Sequence, residues 1–407
     1  MEFILGCFFL LLIFTILIFI SKKNEKISNI LIVAFLLRSI CVILDQHTLI
    51  KLPDGYSDAA KFETLAREFS RNDGLSVIYG LLINDSFFIS RFISIFYSLI
   101  GESKMMAQSI SVAFGTASVY LVYRLCLIIW DHESAKKAAW VITFFPSLVL
   151  YSSLMLREVY IVFFLLLGLI GIAKFIKKNS IISLFQIMAS FYFLSLFHGP
   201  VAIGGIVFFM YLLFFETKKQ IKNIKRFKIN FSSFIFVFVS LIPIVLFLTN
   251  NFEIPYIGGL QTLINIKSSL PKINNYMFDT AAYPSWLLIN NNYELLTKGL
   301  VKIFYFLYSP FPWDIKSTYH LIGLFDGILY IILTIYIFKN WHNLYSNPVT
   351  RVLILIFICY LIVYGISVGN FGTGIRHRSK FVVMLIILAA PKIHKFIFSN
   401  KKKIYNK

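Results

Sequence analysis

Long apolar runs separated by short lysine-rich clusters dominate this sequence. The first run, at 3–20, is long enough to cross the hydrocarbon core of a bilayer, and Lys22, Lys23 and Lys26 follow it. The alternation continues along the chain, with 58% hydrophobic residues and a mean hydropathy of +0.78. These values exclude a soluble domain of 407 residues. The sequence therefore predicts an all-α polytopic membrane protein.

The apolar runs predict about eleven transmembrane helices in one integral membrane domain over 1–407. The predicted spans are 3–20, 28–44, 104–130, 134–152, 154–175, 180–197, 199–215, 230–249, 320–338, 348–368 and 379–397. Because lysine clusters favour the cytoplasmic side, the N-terminus is predicted to be periplasmic and the C-terminus cytoplasmic. This topology is that of a multi-pass protein of the bacterial inner membrane.

Two long polar segments, 45–103 and 250–319, are predicted to be periplasmic loops. Carboxylates outnumber cations in the first loop. Its short apolar run at 86–100 is interrupted by Arg91, which favours a helix lying in the membrane interface. In the second loop, the apolar piece at 299–309 is too short to cross comfortably and is expected to be re-entrant or interfacial.

The charge and the cysteines exclude two other classes of protein. A net charge of +20 would suggest a nucleic-acid partner for a soluble chain, but here most cations fall in short loops between spans. No nucleic-acid binding is expected. The four cysteines lie inside apolar runs without metal-ligand spacing, so neither a disulfide framework nor a zinc site is predicted.

Ionisable residues are densest in the first outer loop, just after its start. Pro53 and Gly55 end the preceding helix, and apolar residues from Phe62 onward recur on one helical face. Asp58 is expected at the positive N-terminus of this amphipathic helix, where its ionised form is favoured. Asp54 precedes it. The alternative is that Asp58 only caps the helix.

A second polar stretch places Arg157 and Glu158 side by side near the start of a predicted span. Ionisable groups at membrane depth are costly and usually face a cavity, which favours a functional role. The alternative is that the two charges neutralise each other or lie in the membrane interface.

A third stretch, 369–380, is predicted to be an outer loop that binds an anion. Its cations are Arg376, Arg378 and Lys380, with His377 among them, and they violate the positive-inside bias. Arginine forks grip phosphate with two parallel hydrogen bonds, and the glycines of this stretch allow close backbone approach. The alternative is that the cations anchor the loop to anionic lipid head groups.

Aromatic residues supply the remaining candidates. Trp313 lies in a proline-rich bend and is a candidate for stacking on a sugar ring, although aromatic residues at the membrane interface are usually belt residues. Tyr56, between the two loop aspartates, is a further substrate-binding candidate. His198 is expected to be a helix-end residue.

Four segments resemble the GT-C class of polyprenol-dependent glycosyltransferases. They are the Asp-Ala-x-x-Phe-x-x-x-Ala helix at 58–66, the Phe-Pro to Arg-Glu run at 145–158, the Pro-Phe-Pro-Trp bend at 310–313 and Gly-Thr-x-x-Arg-x-Arg at 372–378. In that class an acidic residue of the first outer loop acts on the acceptor hydroxyl, and Asp58 matches it. The extra N-terminal span and the lack of a soluble C-terminal domain depart from many members of that class. A chain of this length that is made almost wholly of spans, is rich in Phe, Ile, Lys and Asn and has two sizeable outer loops is more similar to the O-antigen repeat-unit polymerases.

The resemblance implies transfer of undecaprenyl-diphosphate-linked oligosaccharides on the periplasmic face. Asp58 would be the base and Asp54 the second candidate, while Glu158 would orient the acceptor or Arg157. The cations at 376–380 would stabilise the diphosphate leaving group. No cofactor is required, but two carboxylates near a diphosphate leave a divalent cation open.

Other readings stay open at this stage. A polymerase would allow a chain-length regulator in the same membrane as a partner. One alternative is a GT-C enzyme that moves a single sugar from a polyprenyl-phosphate donor. Another is a transporter of lipid-linked sugars, for which internal repeats are expected, and the two outer loops share no pattern.

Overall fold

A computed structural model describes residues 1–46, 52–81, 87–224, 231–248, 281–316 and 318–394. Within these ranges the chain is helical and contains no β-strand, apart from an isolated bridge between Ala282 and Asn370. The first part of the predicted second outer loop, at 250–280, and the C-terminal tail, at 395–407, fall outside the described residues.

The first half of the chain contains eleven helices. They are α1 (Glu2–Lys23), α2 (Glu25–Gln46), α3 (Asp58–Asn72), α4 (Val77–Gly80), α5 (Phe88–Ile100), α6 (Lys104–Ile129), α7 (His132–Phe144), α8 (Pro146–Tyr151), α9 (Glu158–Lys178), α10 (Ile181–Phe197) and α11 (Ile203–Ile224), counted over the described residues. The second half contains α12 (Phe231–Leu248), α13 (Asn292–Tyr308), α14 (Thr318–Lys339), α15 (Trp341–Ser346), α16 (Pro348–Ser367), α17 (Phe371–Ser379) and α18 (Val382–Ala389).

Seven segments of the described chain are long and apolar enough to cross a membrane. They are Glu2–Lys23, Glu25–Gln46, Lys104–Ile129, Glu158–Lys178, Gly199–Lys218, His320–Lys339 and Pro348–Ser367. The predicted all-α polytopic membrane architecture is thereby confirmed. The total of eleven spans stays a prediction, as do the membrane sides of the two termini.

One predicted span, 134–152, is broken in the structure. Helix α7 ends at Phe144, and α8 begins at Pro146. Proline lacks an N–H group and disfavours a helical conformation in the residue before it, and Phe145 is accordingly extended, with φ −67° and ψ 117°. The break turns the chain toward the start of α9, where Arg157 and Glu158 lie.

The most buried of the seven segments is Glu158–Lys178. Helix α9 packs against α6 and α10, whereas α1 exposes large apolar side chains such as Phe3, Phe8 and Leu11. Apolar side chains on the outside are expected where lipid, and not water, is the solvent. The functional side chains described next lie at the N-terminal end of the buried helix α9.

Candidate active site

The loop before α3 turns Asp54 into the protein. Asp54 has φ +63°, a left-handed conformation that an aspartate can adopt but most residues avoid. A Cβ atom on the next residue, Gly55, would lie 3.1 Å from Asp45 Oδ1 and 3.2 Å from the Leu52 carbonyl oxygen. A larger residue at this point of the loop would require these neighbours to shift by a few tenths of an ångström. Ser57 occupies the cap position of α3, so Asp58 is its first helical residue.

The stretch predicted as an outer loop at 369–380 is in fact largely the helix α17. Asn370 caps it, because Asn370 Oδ1 accepts hydrogen bonds from the N–H groups of Gly372 and Thr373. On a helix, residues four positions apart share a face, whereas residues two positions apart point about 200° from each other. Arg376 and Lys380 consequently lie on one face, and Arg378 lies on the other.

Arg376 joins two acidic residues that come from different helices. Its guanidinium donates hydrogen bonds to Asp58 Oδ2 at the start of α3 and to Glu158 Oε1 at the start of α9, the latter at 3.2 Å. Lys380 Nζ lies 3.7 Å from the same Glu158 oxygen. Glu158 is 2% exposed and Asp58 is 47% exposed, so the cluster reaches from the interior to an accessible carboxylate. We call Asp54, Asp58, Arg157, Glu158, Arg376 and Lys380 the charge cluster.

The other two members of the cluster lie beside Arg376 and Phe62. Burial raises the pKa of Asp54 above its usual range, while the nearby positive charge of Arg376 acts in the opposite direction. The guanidinium of Arg157 lies over the ring of Phe62, with 5.2 Å between its carbon and the ring centroid. The cluster therefore contains three carboxylates and three cations.

His377 lies behind the charge cluster as a neutral imidazole. Burial, together with Lys380 and Arg376, holds the pKa of His377 well below its usual range. Lys380 Nζ lies 2.8 Å from His377 Nδ1. The direction of this hydrogen bond depends on the tautomer of the imidazole. His377 therefore adds a hydrogen-bonding group to the site and no charge.

His198 belongs to this region, although the sequence indicated only a helix end. Its Nδ1 lies 3.1 Å from the Tyr364 hydroxyl oxygen, and its ring centroid lies 5.3 Å from that of His377. His198 lies in the turn after α10, Tyr364 lies in α16 and His377 lies in α17. A histidine followed by a glycine and a proline between two apolar runs was the available signal, but no spacing connects it with residue 377.

Arg378 is not part of the cluster. Its guanidinium donates to the carbonyl oxygens of Ser309, Leu307 and Gly323, at 3.2 Å for Leu307 and 3.0 Å for Gly323. It is 1% exposed, and its Nε atom lies 3.6 Å from Asp326 Oδ2. Since its donors serve the protein itself, the fork predicted to grip phosphate is already used. These contacts hold α17 against the segments around it, and a role of Arg378 in binding phosphate stays a prediction.

The two aromatic candidates, Tyr56 and Trp313, have exposed rings. Tyr56 is about half exposed, and Lys104 Nζ lies 5.8 Å from its ring centroid. Trp313 is 74% exposed and stacks on Phe311 with ring centroids 5.0 Å apart. Their exposed rings suit contact with a sugar or with lipid, and their assignment to substrate stays a prediction.

Metal ligation was left open by the sequence. In the part of the chain that the structure describes, no group of three or more His, Cys, Asp or Glu side chains is arranged to hold a metal ion. The space between Asp58 and Glu158 is spanned by the guanidinium of Arg376. The need for a divalent cation is therefore a question for the transfer assay described below.

The helices define a polytopic membrane protein with a GT-C-like scaffold. ArnT from Cupriavidus metallidurans, in a crystal structure with bound undecaprenyl phosphate, superposes with a TM-score of 0.52 at 13% sequence identity. The match covers 92% of this chain and 61% of ArnT, so the present chain spans about three fifths of that protein. At this identity the likeness concerns the fold alone.

A second similar structure is the oligosaccharyltransferase AglB from Archaeoglobus fulgidus, in complex with an inhibitory peptide and a dolichol-phosphate. It has a TM-score of 0.49 and 14% identity, over 91% of this chain and 50% of AglB. No family model matches the sequence, and no curated protein matches it.

Proposed function

We propose that this protein is a glycosyltransferase that takes its sugar from a polyprenyl-linked phosphate donor at the membrane surface. The observation that carries the proposal is the placement of Arg376 between Asp58 and Glu158 on a GT-C-like scaffold. The neighbour ArnT was crystallised with undecaprenyl phosphate, which supports a lipid phosphate as the common chemistry. No residue role is transferred from ArnT, since only the fold is shared.

The reaction needs a base and a stabilised leaving group. The acceptor hydroxyl oxygen forms a bond to the anomeric carbon of the donor sugar, and the bond from that carbon to the phosphate oxygen breaks. The hydroxyl proton passes to a carboxylate, for which Asp58 is the first candidate and Asp54 the second. The departing phosphate retains the bonding electrons, and Arg376 and Arg157 would stabilise its negative charge.

Donor binding would also free the base. In the structure the fork of Arg376 is occupied by Asp58 and Glu158. A phosphate that takes over part of this fork competes with Asp58, the more exposed of the two carboxylates. Glu158 is 2% exposed and is also held by Lys380, so it keeps Arg376 in place during the exchange. Asp58 is then available to accept the hydroxyl proton.

The more specific proposal is a polymerase that joins undecaprenyl-diphosphate-linked repeat units into O-antigen or a similar surface polysaccharide in the bacterial inner membrane. It rests on the resemblance in sequence and on the two long outer segments. A chain-length regulator in the same membrane is the partner that this proposal adds. The alternative, a transferase of one sugar from a polyprenyl-phosphate donor, fits the GT-C-like scaffold equally well.

The deciding experiment uses the purified full chain in vesicles. Undecaprenyl-diphosphate-linked repeat units are supplied in one reaction, and a polyprenyl-phosphate-linked single sugar with an acceptor in another. A ladder of products supports the polymerase, whereas addition of one sugar supports the single-sugar transferase. Passage of the lipid-linked sugar across the bilayer without bond formation would instead identify a transporter.

Three controls make this assay specific. Asp58→Asn should lose transfer, and Glu68→Gln, which changes an exposed carboxylate on the same helix, should keep it. Parallel reactions with EDTA and with added Mg²⁺ settle the need for a divalent cation. Co-reconstitution with a candidate chain-length regulator should change the distribution of ladder lengths if it is a partner.

A further inference from the structure

A polar groove of about 400 Å³ lies where α1 ends and α2 begins. Its polar lining consists of Ser21, Lys22, Glu25, Ser28 and Asn29. The groove shares no residue with the charge cluster and lies at the end of α1 that the lysine distribution predicts to be cytoplasmic. It is therefore a different site from the one proposed for glycosyl transfer.

Among the described residues that line the groove, Ser21 has a buried hydroxyl without a hydrogen-bond partner. Ser21 is 3% exposed, and its Oγ atom makes no hydrogen bond within the described residues. A buried polar atom without a hydrogen bond costs about 1–3 kcal/mol. A ligand group that reaches this hydroxyl would remove that cost.

The groove presents one charge of each sign. Lys22 and Glu25 both line it and both are exposed, and the described residues include no ion pair between them. Lys23 and Lys26 belong to the same turn but do not line the groove. A ligand that is complementary to this lining carries a negative group near Lys22 and a positive, hydrogen-bonding group near Glu25.

The surroundings of the groove are those of a lipid-facing surface. Ile18 and Ile32 complete its lining, and the neighbouring side chains Ile16 and Phe19 of α1 are exposed. Both helices are long and apolar enough to cross a membrane. The polar groove therefore joins an apolar face, as an amphiphile with a polar head and acyl chains requires.

We propose that the groove binds the head group of a phospholipid that carries phosphoethanolamine. The phosphate interacts with Lys22 and with the hydroxyl of Ser21, and the primary ammonium donates hydrogen bonds to Glu25. Choline offers no N–H group to Glu25, and a glycerol head group offers it no cation. The site thus distinguishes phosphatidylethanolamine from phosphatidylcholine and from phosphatidylglycerol.

The test is native mass spectrometry of the detergent-solubilised full chain, equilibrated with equimolar phosphatidylethanolamine and phosphatidylcholine and, in a parallel sample, with equimolar phosphatidylethanolamine and phosphatidylglycerol. The wild-type chain should retain mainly phosphatidylethanolamine. Glu25→Gln should lower that preference by about two- to fivefold, the range expected for one partly exposed polar pair. Ser21→Ala removes a contact with the phosphate, which both lipids carry, so it should lower the retention of both lipids and leave the preference between them unchanged. Lys23→Gln, which removes a charge from the same turn but outside the groove, should leave the preference unchanged.

Several results would overturn the assignment. Equal retention of the two lipids by the wild-type chain would do so, as would a preference that survives Glu25→Gln. Stronger retention of phosphatidylglycerol, lost equally in Lys22→Gln and Lys23→Gln, would show attraction to a basic surface and no built site. Because the readout is lipid retention, a chain that binds phosphatidylethanolamine but transfers no sugar would refute only the proposed glycosyl transfer.

Discussion

The guanidinium of Arg376 lies against the carboxylate of Asp58, although 318 positions separate the two residues along the chain. The contact brings the start of α3 to α17 and leaves Asp58 accessible. A base that is held by a cation in the resting protein and released by an anionic donor would act only when the donor is present. The predictions below test this arrangement residue by residue.

Asp58→Asn should abolish transfer while leaving folded protein in the membrane. The amide keeps the size of the side chain and can still accept a hydrogen bond from Arg376, but it cannot take up the hydroxyl proton. Loss of a positioned base typically costs about 10²- to 10⁴-fold in rate. The measurement is product formation in reconstituted vesicles, with thermal unfolding of both proteins recorded alongside.

Glu68→Gln is the matched control for this change, because Glu68 is an exposed carboxylate on α3. Its rate should equal that of the unchanged protein. If Asp58→Asn retained the amount and length of product, Asp58 would be a helix-terminal residue only, and Asp54 would become the leading candidate for the base.

Arg376→Lys should reduce transfer although it retains the positive charge. Lysine lacks the planar fork that now reaches both Asp58 and Glu158 and that would grip phosphate. A lost hydrogen bond between charged groups is worth about 1.5–3 kcal/mol, so the rate or the donor affinity should fall about tenfold or more. Full activity of Arg376→Lys would contradict this role and favour the alternative that Arg376 anchors the segment to anionic lipid head groups.

The sequence predicted the membrane class and many of the helices, because a long apolar run has few alternatives in a bilayer. It also selected Asp54, Asp58, Arg157, Glu158, Arg376 and Lys380, since charges within an apolar chain are conspicuous. What it missed was the helical state of 371–379. The glycines favoured a loop, although Asn370 is a good helix cap and was the available signal. Because the segment is helical, the side chains of Arg376 and Arg378 point in different directions, whereas a loop could place them side by side.

Arg378→Lys should therefore act on stability. Arg378 is buried and bonds several carbonyl oxygens, including those of Leu307 and Gly323. Lysine cannot reach all of them at once, and each buried carbonyl left without a partner costs about 1–3 kcal/mol. The protein should unfold at a lower temperature than Arg376→Lys. If the Arg378→Lys protein unfolded at the normal temperature but lost donor binding, the result would support the prediction that Arg378 binds phosphate.

His198 and Tyr364 should be energetically coupled. Their side chains are buried and hydrogen-bonded at 3.1 Å, next to His377. Residues in direct contact within one network typically show coupling energies of about 0.5–3 kcal/mol. A double-mutant cycle on thermal or denaturant unfolding, with His198→Phe, Tyr364→Phe and the double variant, measures this energy. Strictly additive effects would show that the hydrogen bond contributes nothing.

Transfer should fall at acidic pH because of Asp54. The ionised carboxylate of Asp54 attracts the guanidinium of Arg376. Burial raises the pKa of Asp54 above the ordinary aspartate value of about 4. The carboxylate is charged above this pKa and neutral below it, so kcat/KM should decline as the pH falls through the raised value.

The positive charge of Arg376 opposes the rise in the pKa of Asp54. Arg376→Gln should therefore move the decline to higher pH, whereas Arg376→Lys, which keeps the charge, should move it less. The comparison requires kcat/KM profiles of all three proteins, and an identical acid limb in each would show that Asp54 does not govern it.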